Sequence, residues 1–196
     1  MTDPRCATPV EFTDIVDYWA GDLSAADVDR IEEHAFTCAA CAGQLAEGEA
    51  LARGIAAVVR EGRFHSVVTD GLLNRLAMDG VRMRTYVLEP GDVVPCSVWE
   101  DDDLVVTRIR ADLSGADSVT VVTRLGSGEE VSRSSDVMVR PGQVEIIDAI
   151  SAALLRRLPA TRVQMTVIAR AARGEWTLGD YVLEHAGTFD RARRGP

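Results

Sequence analysis

The sequence predicts an α+β protein, with a helical N-terminal part followed by a mostly antiparallel β-sandwich or barrel. Three observations carry that expectation. Apolar residues recur at three- and four-residue steps to about residue 78, they alternate with polar ones from residue 83, and a His-x3-Cys-x2-Cys run, His34 to Cys41, falls where two helices would meet. The 196 residues suffice for two unequal domains, and a hydrophobic fraction of 46% suits a globular chain.

Thr8 reads as the N-cap of a first helix, with Pro9 in the first helical position and Glu11 completing a capping box. Val10, Phe12, Ile15, Val16 and Trp19 follow at helical spacing up to Ala20, and Gly21 stops the helix. Ser24 caps a second helix through Val28, Ile31 and Ala35, with His34 in its last turn. Thr37 is expected to cap a third. Cys38 and Cys41 then lie in its first turn, where free N–H groups and the helix dipole favour thiolate. This helix runs to about Arg60 and breaks at Gly62.

A fourth helix is expected from Ser66 to Met78, with Val68, Leu72, Leu73 and Leu76 on one side. Gly71 weakens it by about 1 kcal/mol relative to Ala. With few long-range partners of its own, it is expected to pack on another molecule, and those four apolar residues are the candidate partner contacts.

Alternation then marks strands at 83–88, 93–99, 104–111, 118–125, 129–132, 137–140, 143–147, 161–169 and 176–183, separated by Gly-, Pro- and Asp-rich turns. Residues 148–158 read as a short helical or irregular insertion. The expected domains are 1–80 and 83–189, with a frayed tail over 190–196. Self-association through sheet edges is left open.

A net charge of −10 argues against direct nucleic-acid binding, which needs a basic face, and permits a basic protein partner. No apolar run reaches the length of a membrane span, and the N-terminal residues lack the order of a signal peptide, so a cytoplasmic protein without membrane contact is expected. In that reducing compartment four cysteines point to metal and not to disulfides.

His34, Cys38 and Cys41 are therefore candidate ligands for Zn2+, which takes imidazole and thiolate in a tetrahedral shell. Cys6, just before the first helix, is the candidate fourth ligand. His65 is a weaker one, beyond a helix of about 30 Å. Cys96 reads as a buried small residue, and Asp101–Asp103 as a solvated turn. His185 has no neighbouring His or Glu pattern, and no catalytic constellation stands out, so no enzyme is expected.

Residues 6–80, with Cys6, His34, Cys38, Cys41, four short helices and the Gly-Asp-Leu-Ser link at 21–24, resemble the zinc-binding anti-sigma domains. The resemblance implies three helices held by zinc and a fourth packing separately. It also implies a sequestered extracytoplasmic-function sigma factor, and a sensory or regulatory role for the β-rich part. The competing expectation is a zinc-stapled scaffold or ligand-sensing module with a non-sigma partner.

Overall fold

The computed structural model describes residues 6–189, so the expected frayed tail lies outside the described residues. N-terminal helices precede a mostly β part built from two sheets, with no closed barrel. The chain divides into two compact units: one runs through Arg60 and adds Thr69–Gly80, the other takes Glu61–Val68 and continues from Val81.

In the first unit, α1 spans Phe12–Ala20, α2 Ala25–Thr37, α3 Ala39–Arg60 and α4 Asp70–Met78. Helix α1 starts three residues later than the Thr8 cap predicts, and Glu11 precedes it in an extended conformation without a side-chain cap. The local capping signal loses to a tertiary demand. Val10 is buried beside Ile15, Ile31 and Cys41, and its backbone N–H is turned to the Cys41 sulfur. Ser24 caps α2 as expected, its hydroxyl accepting from the Asp27 N–H at 3.2 Å. Thr37 instead closes α2, its hydroxyl donating to the His34 carbonyl at 3.0 Å.

The segment expected to open the fourth helix is a strand. β1 spans His65–Val68 and pairs antiparallel with β7, and α4 begins only after Thr69, whose hydroxyl accepts from the Leu72 N–H at 3.3 Å. β-branched Val67 and Val68 suit a sheet edge better than a helix. Leu73 and Leu76 are buried, so they are not the exposed contacts expected of them, and Val68 belongs to a sheet. Leu72 is half-buried.

Gly71 answers to packing, not helix propensity. A Cβ there would lie 2.2 Å from the Ala20 carbonyl oxygen and 2.4 Å from Asp22 Oδ1, so the start of α4 rests directly on the end of α1. Arg75 then stacks on Trp19, 5.5 Å from the ring centroid. Propensity alone predicts that Gly71→Ala stabilises. The contact predicts instead a loss of about 1–3 kcal/mol, measured as a lowered unfolding midpoint of the helical unit; a raised midpoint would sink the argument.

The second unit holds β2 Met83–Leu88, β3 Val93–Trp99, β4 Leu104–Arg110, β5 Ser118–Leu125, β6 Glu130–Met138, β7 Glu145–Ser151, α5 Ala152–Leu155, β8 Thr161–Ala171 and β9 Gly174–Phe189. One sheet has the order β1-β7-β4-β2 and the other β3-β9-β8-β5-β6. Pairing is antiparallel except for β2 with β4 and β3 with β9. The inner faces share one core, with Leu88, Ile109 and Ile146 from the first sheet and Val121, Met165, Val167 and Tyr181 from the second. The Tyr181 hydroxyl is satisfied there, donating to the Arg110 carbonyl at 2.8 Å.

Two expected strands, 129–132 and 137–140, merge into β6, with Asp136 at φ 55° interrupting the register against β5. β7 runs to Ser151, past the expected end at 147, because its polar residues have partners in the segment entering β1. Phe64 N–H donates to Ser151 Oγ at 2.8 Å, and Ser151 N–H to the Phe64 carbonyl at 2.7 Å. His65 Nε2 lies 3.2 Å from both oxygens of Asp148.

Burial pulls the His65 pKa down, but the hydrogen bond and charge of Asp148 outweigh it and leave the imidazole above its ordinary value. A raised histidine pKa stabilises fully below the unfolded value of about 6.5 and loses its contribution as pH rises through the folded value. The wild type should therefore lose stability relative to His65→Gln as pH rises above about 6.5. Equal pH slopes in the two proteins, followed by denaturant midpoints, would refute this.

Near the β3–β4 turn, Asp102 is buried and accepts from Arg84 Nε at 2.7 Å and from the Trp99 N–H at 2.8 Å. Arg84 also lies over the Trp99 ring at 4.8 Å, and Arg156 donates to the carbonyls of Trp99, Glu100 and Asp102. Asp103 binds Arg82. The acidic run is thus an internally paired turn, not the solvated tip the sequence suggests.

Candidate metal centre

The site forms at the α2–α3 corner. His34 lies in the last turn of α2, and the chain then breaks at Cys38, whose φ of −124° and ψ of 103° are extended. The break turns the Cys38 sulfur toward the start of α3, where it accepts backbone hydrogen bonds from Cys41 and Ala40, as an N-cap side chain would. These bonds, Cys41 N–H first, hold the Cys38 thiol below its ordinary pKa. One turn into α3, Cys41 is buried.

The non-helical segment before α1 brings in Cys6. Its Sγ is 3.2 Å from His34 Nε2, and Cys41 Sγ is 3.3 Å from the same nitrogen. The ligand atoms of Cys6, His34, Cys38 and Cys41 all lie within 4.8 Å of one another. A tetrahedral zinc shell with bonds near 2.0 and 2.3 Å requires S–N separations of about 3.6 Å and S–S separations of about 3.8 Å. The two S–N distances lie within a few tenths of an ångström of that geometry. His65 is not in the cluster; it pairs with Asp148.

The thiols also show why a cation suits the site. The Val10 N–H pulls the Cys41 pKa down, but burial and the neighbouring Cys38 and Cys6 sulfurs raise it above the ordinary value. Packed together, the thiols resist joint ionisation, whereas a divalent ion stabilises all the thiolates at once. The donor set, the spacing and the burial fit a metal ion.

Residues 14–42 match the family described as "Putative zinc-finger". This segment is similar to zinc fingers of the type found in anti-sigma factors. The match contains His34, Cys38 and Cys41 and ends just past them; Cys6 joins the finger by geometry alone. No curated protein matches the chain. Among solved structures, the N-terminal domain of phage TP901-1 ORF48 is similar over 54% of this chain and 98% of that one, at 9% identity and a TM-score of 0.33, a level from which nothing follows for this protein.

The finger's hydrophobic core is small. Val10, Ile15, Ile31 and Cys41 are buried, with Cys6, Tyr18, Leu23, Cys38 and Leu45 packed partly buried around them. So small a cluster leaves the α2–α3 corner itself dependent on a staple. Elsewhere, Cys96 is buried, and desolvation pushes its thiol up to about 11. His185 is also buried, with Nδ1 3.9 Å from the Cys96 sulfur.

Proposed function

We propose that this protein is a cytoplasmic anti-sigma factor that binds an extracytoplasmic-function sigma factor and withholds it from RNA polymerase. The observation that carries the reading is the zinc-finger match, completed by Cys6. Four protein ligands close the shell around Zn2+ and leave no open coordination position, as in structural sites and unlike catalytic ones. In this reading the protein binds and does not catalyse. His34, Cys38, Cys41 and Cys6 fix the mutual angles of α1, α2 and α3, and the helices present the partner surface.

The β-rich unit is the regulatory part. The chain passes from α3 to α4 through β1, an edge strand of that unit's first sheet, so a change at this sheet edge acts on the chain leading into α4. No described helix is long and apolar enough to cross a membrane.

Co-expression with each extracytoplasmic-function sigma factor of the source genome tests the reading. One of them should co-purify in a stoichiometric complex and lose transcription in a reconstituted polymerase assay, and Cys38→Ser should abolish both effects. Failure of every such sigma factor to bind the zinc-loaded protein would overturn it.

A further inference from the structure

Within the first unit, α1 and α2 present apolar side chains to solvent among acids. Phe12 is 66% exposed and Val16 41%, one turn apart on α1, and Trp19 continues the stripe at the next turn, half-buried. Beside this stripe runs an open groove of about 550 Å³, lined by Ile15, Tyr18 and Trp19 of α1, Val28 of α2 and Leu45 of α3, with Arg75 at its rim. On α2, Val28, Glu32 and Phe36 follow at four-residue steps. Val28 lines the groove, Glu32 accepts from the Tyr18 hydroxyl at 2.9 Å, and Phe36 is 90% exposed. Large side chains this exposed on such a small unit are costly in water unless another surface covers them.

The charge pattern specifies the covering surface. Residues 11–37 carry eight carboxylates against the single cation Arg30, a net charge of −7 out of the whole chain's −10. Arg30 is already engaged by Asp27 at 3.3 Å and Asp14 at 3.9 Å. Glu11, Asp29 and Glu33 have no ion pair among the described residues. An apolar groove with aromatic edges and an acidic surround is complementary to an amphipathic helix whose flanks carry Lys or Arg.

We propose that the α1–α2 face of the zinc finger, with Phe12, Val16 and Phe36 as anchors around the groove, seats a basic amphipathic helix of the sigma factor. This rests on the anti-sigma reading, and it replaces the buried Leu73 and Leu76 with a surface on the finger itself. The aromatic anchors supply burial, and the carboxylates set orientation and rate of encounter.

Titration calorimetry of the full, zinc-loaded chain against the co-purifying sigma factor decides it. Phe12→Ala/Val16→Ala and, separately, Phe36→Ala should each weaken binding by about 30-fold, with zinc content and circular dichroism unchanged, because these side chains are exposed. Glu33→Arg should weaken it further at low salt than at high salt. Wild-type affinity in both apolar variants would overturn the proposed face and leave the anti-sigma reading standing. If no sigma factor binds the wild type, both fall together.

Discussion

Chelation of the metal should unfold the α1–α3 corner while leaving the β-rich unit folded. The buried cluster around the site is Val10, Ile15, Ile31 and Cys41, too little apolar surface by itself to offset the ordering of the corner. A structural zinc shell contributes on the order of 10 kcal/mol at neutral pH, more than such a core can. Without the ion, only weak hydrogen bonds such as those of the Cys6 and Cys41 sulfurs to His34 Nε2 link the ligands. Hydrogen exchange should show amide protection lost across α1, α2 and the start of α3 and retained in β5, β8 and β9. Cys38→Ser should do the same without chelator. Protection surviving in α2 of the metal-free protein would mean that the metal is not the staple.

Replacing Asp102 by Ala should destabilise the β-rich unit by about 3 kcal/mol. Asp102 is the shared acceptor for Arg84 and the Trp99 N–H, and its loss leaves a half-buried guanidinium and a backbone donor without their partner. Arg156, bonded to three carbonyls of the same turn, loses the geometry that turn provides. Removing an exposed acid such as Glu184, paired with Arg162 at 3.0 Å at the surface, should cost less than about 1 kcal/mol. The comparison of the two midpoints separates a structural turn from a solvated one, and equal effects would contradict the burial argument.

Much of the candidate site could be read from spacing. His34, Cys38 and Cys41 lie within eight residues, so one helical corner brings them together whatever the rest of the chain does. Cys6 is one of several distant residues, and geometry supports it only because residues 6–11 stay non-helical against the Thr8–Glu11 capping signal. The burial of α4 was not legible for a related reason. A stripe of leucines in a short helix reads the same whether it faces solvent or the protein, and here Leu73 and Leu76 are buried while Phe12, Val16 and Phe36 are exposed.

The β-rich part divides in the same way. Alternation located β2 to β5 within a residue or so, because each strand carries its own inward and outward faces. It did not find β1, four residues with no alternation that form a strand only because β7 is there to pair with them. Nor did it show that β2 and β3 pair in parallel with β4 and β9.

By itself the sequence determined the α-then-β order, the three clustered ligands and the acidic character of the first two helices, all of which depend on residues within a few turns of one another. The tertiary structure alone decided the arrival of Cys6, the insertion of β1 between α3 and α4, the need for glycine at position 71 and the sides of the helices left to solvent. Each of these is set by contact between residues far apart in the chain, and no local pattern encodes such a contact.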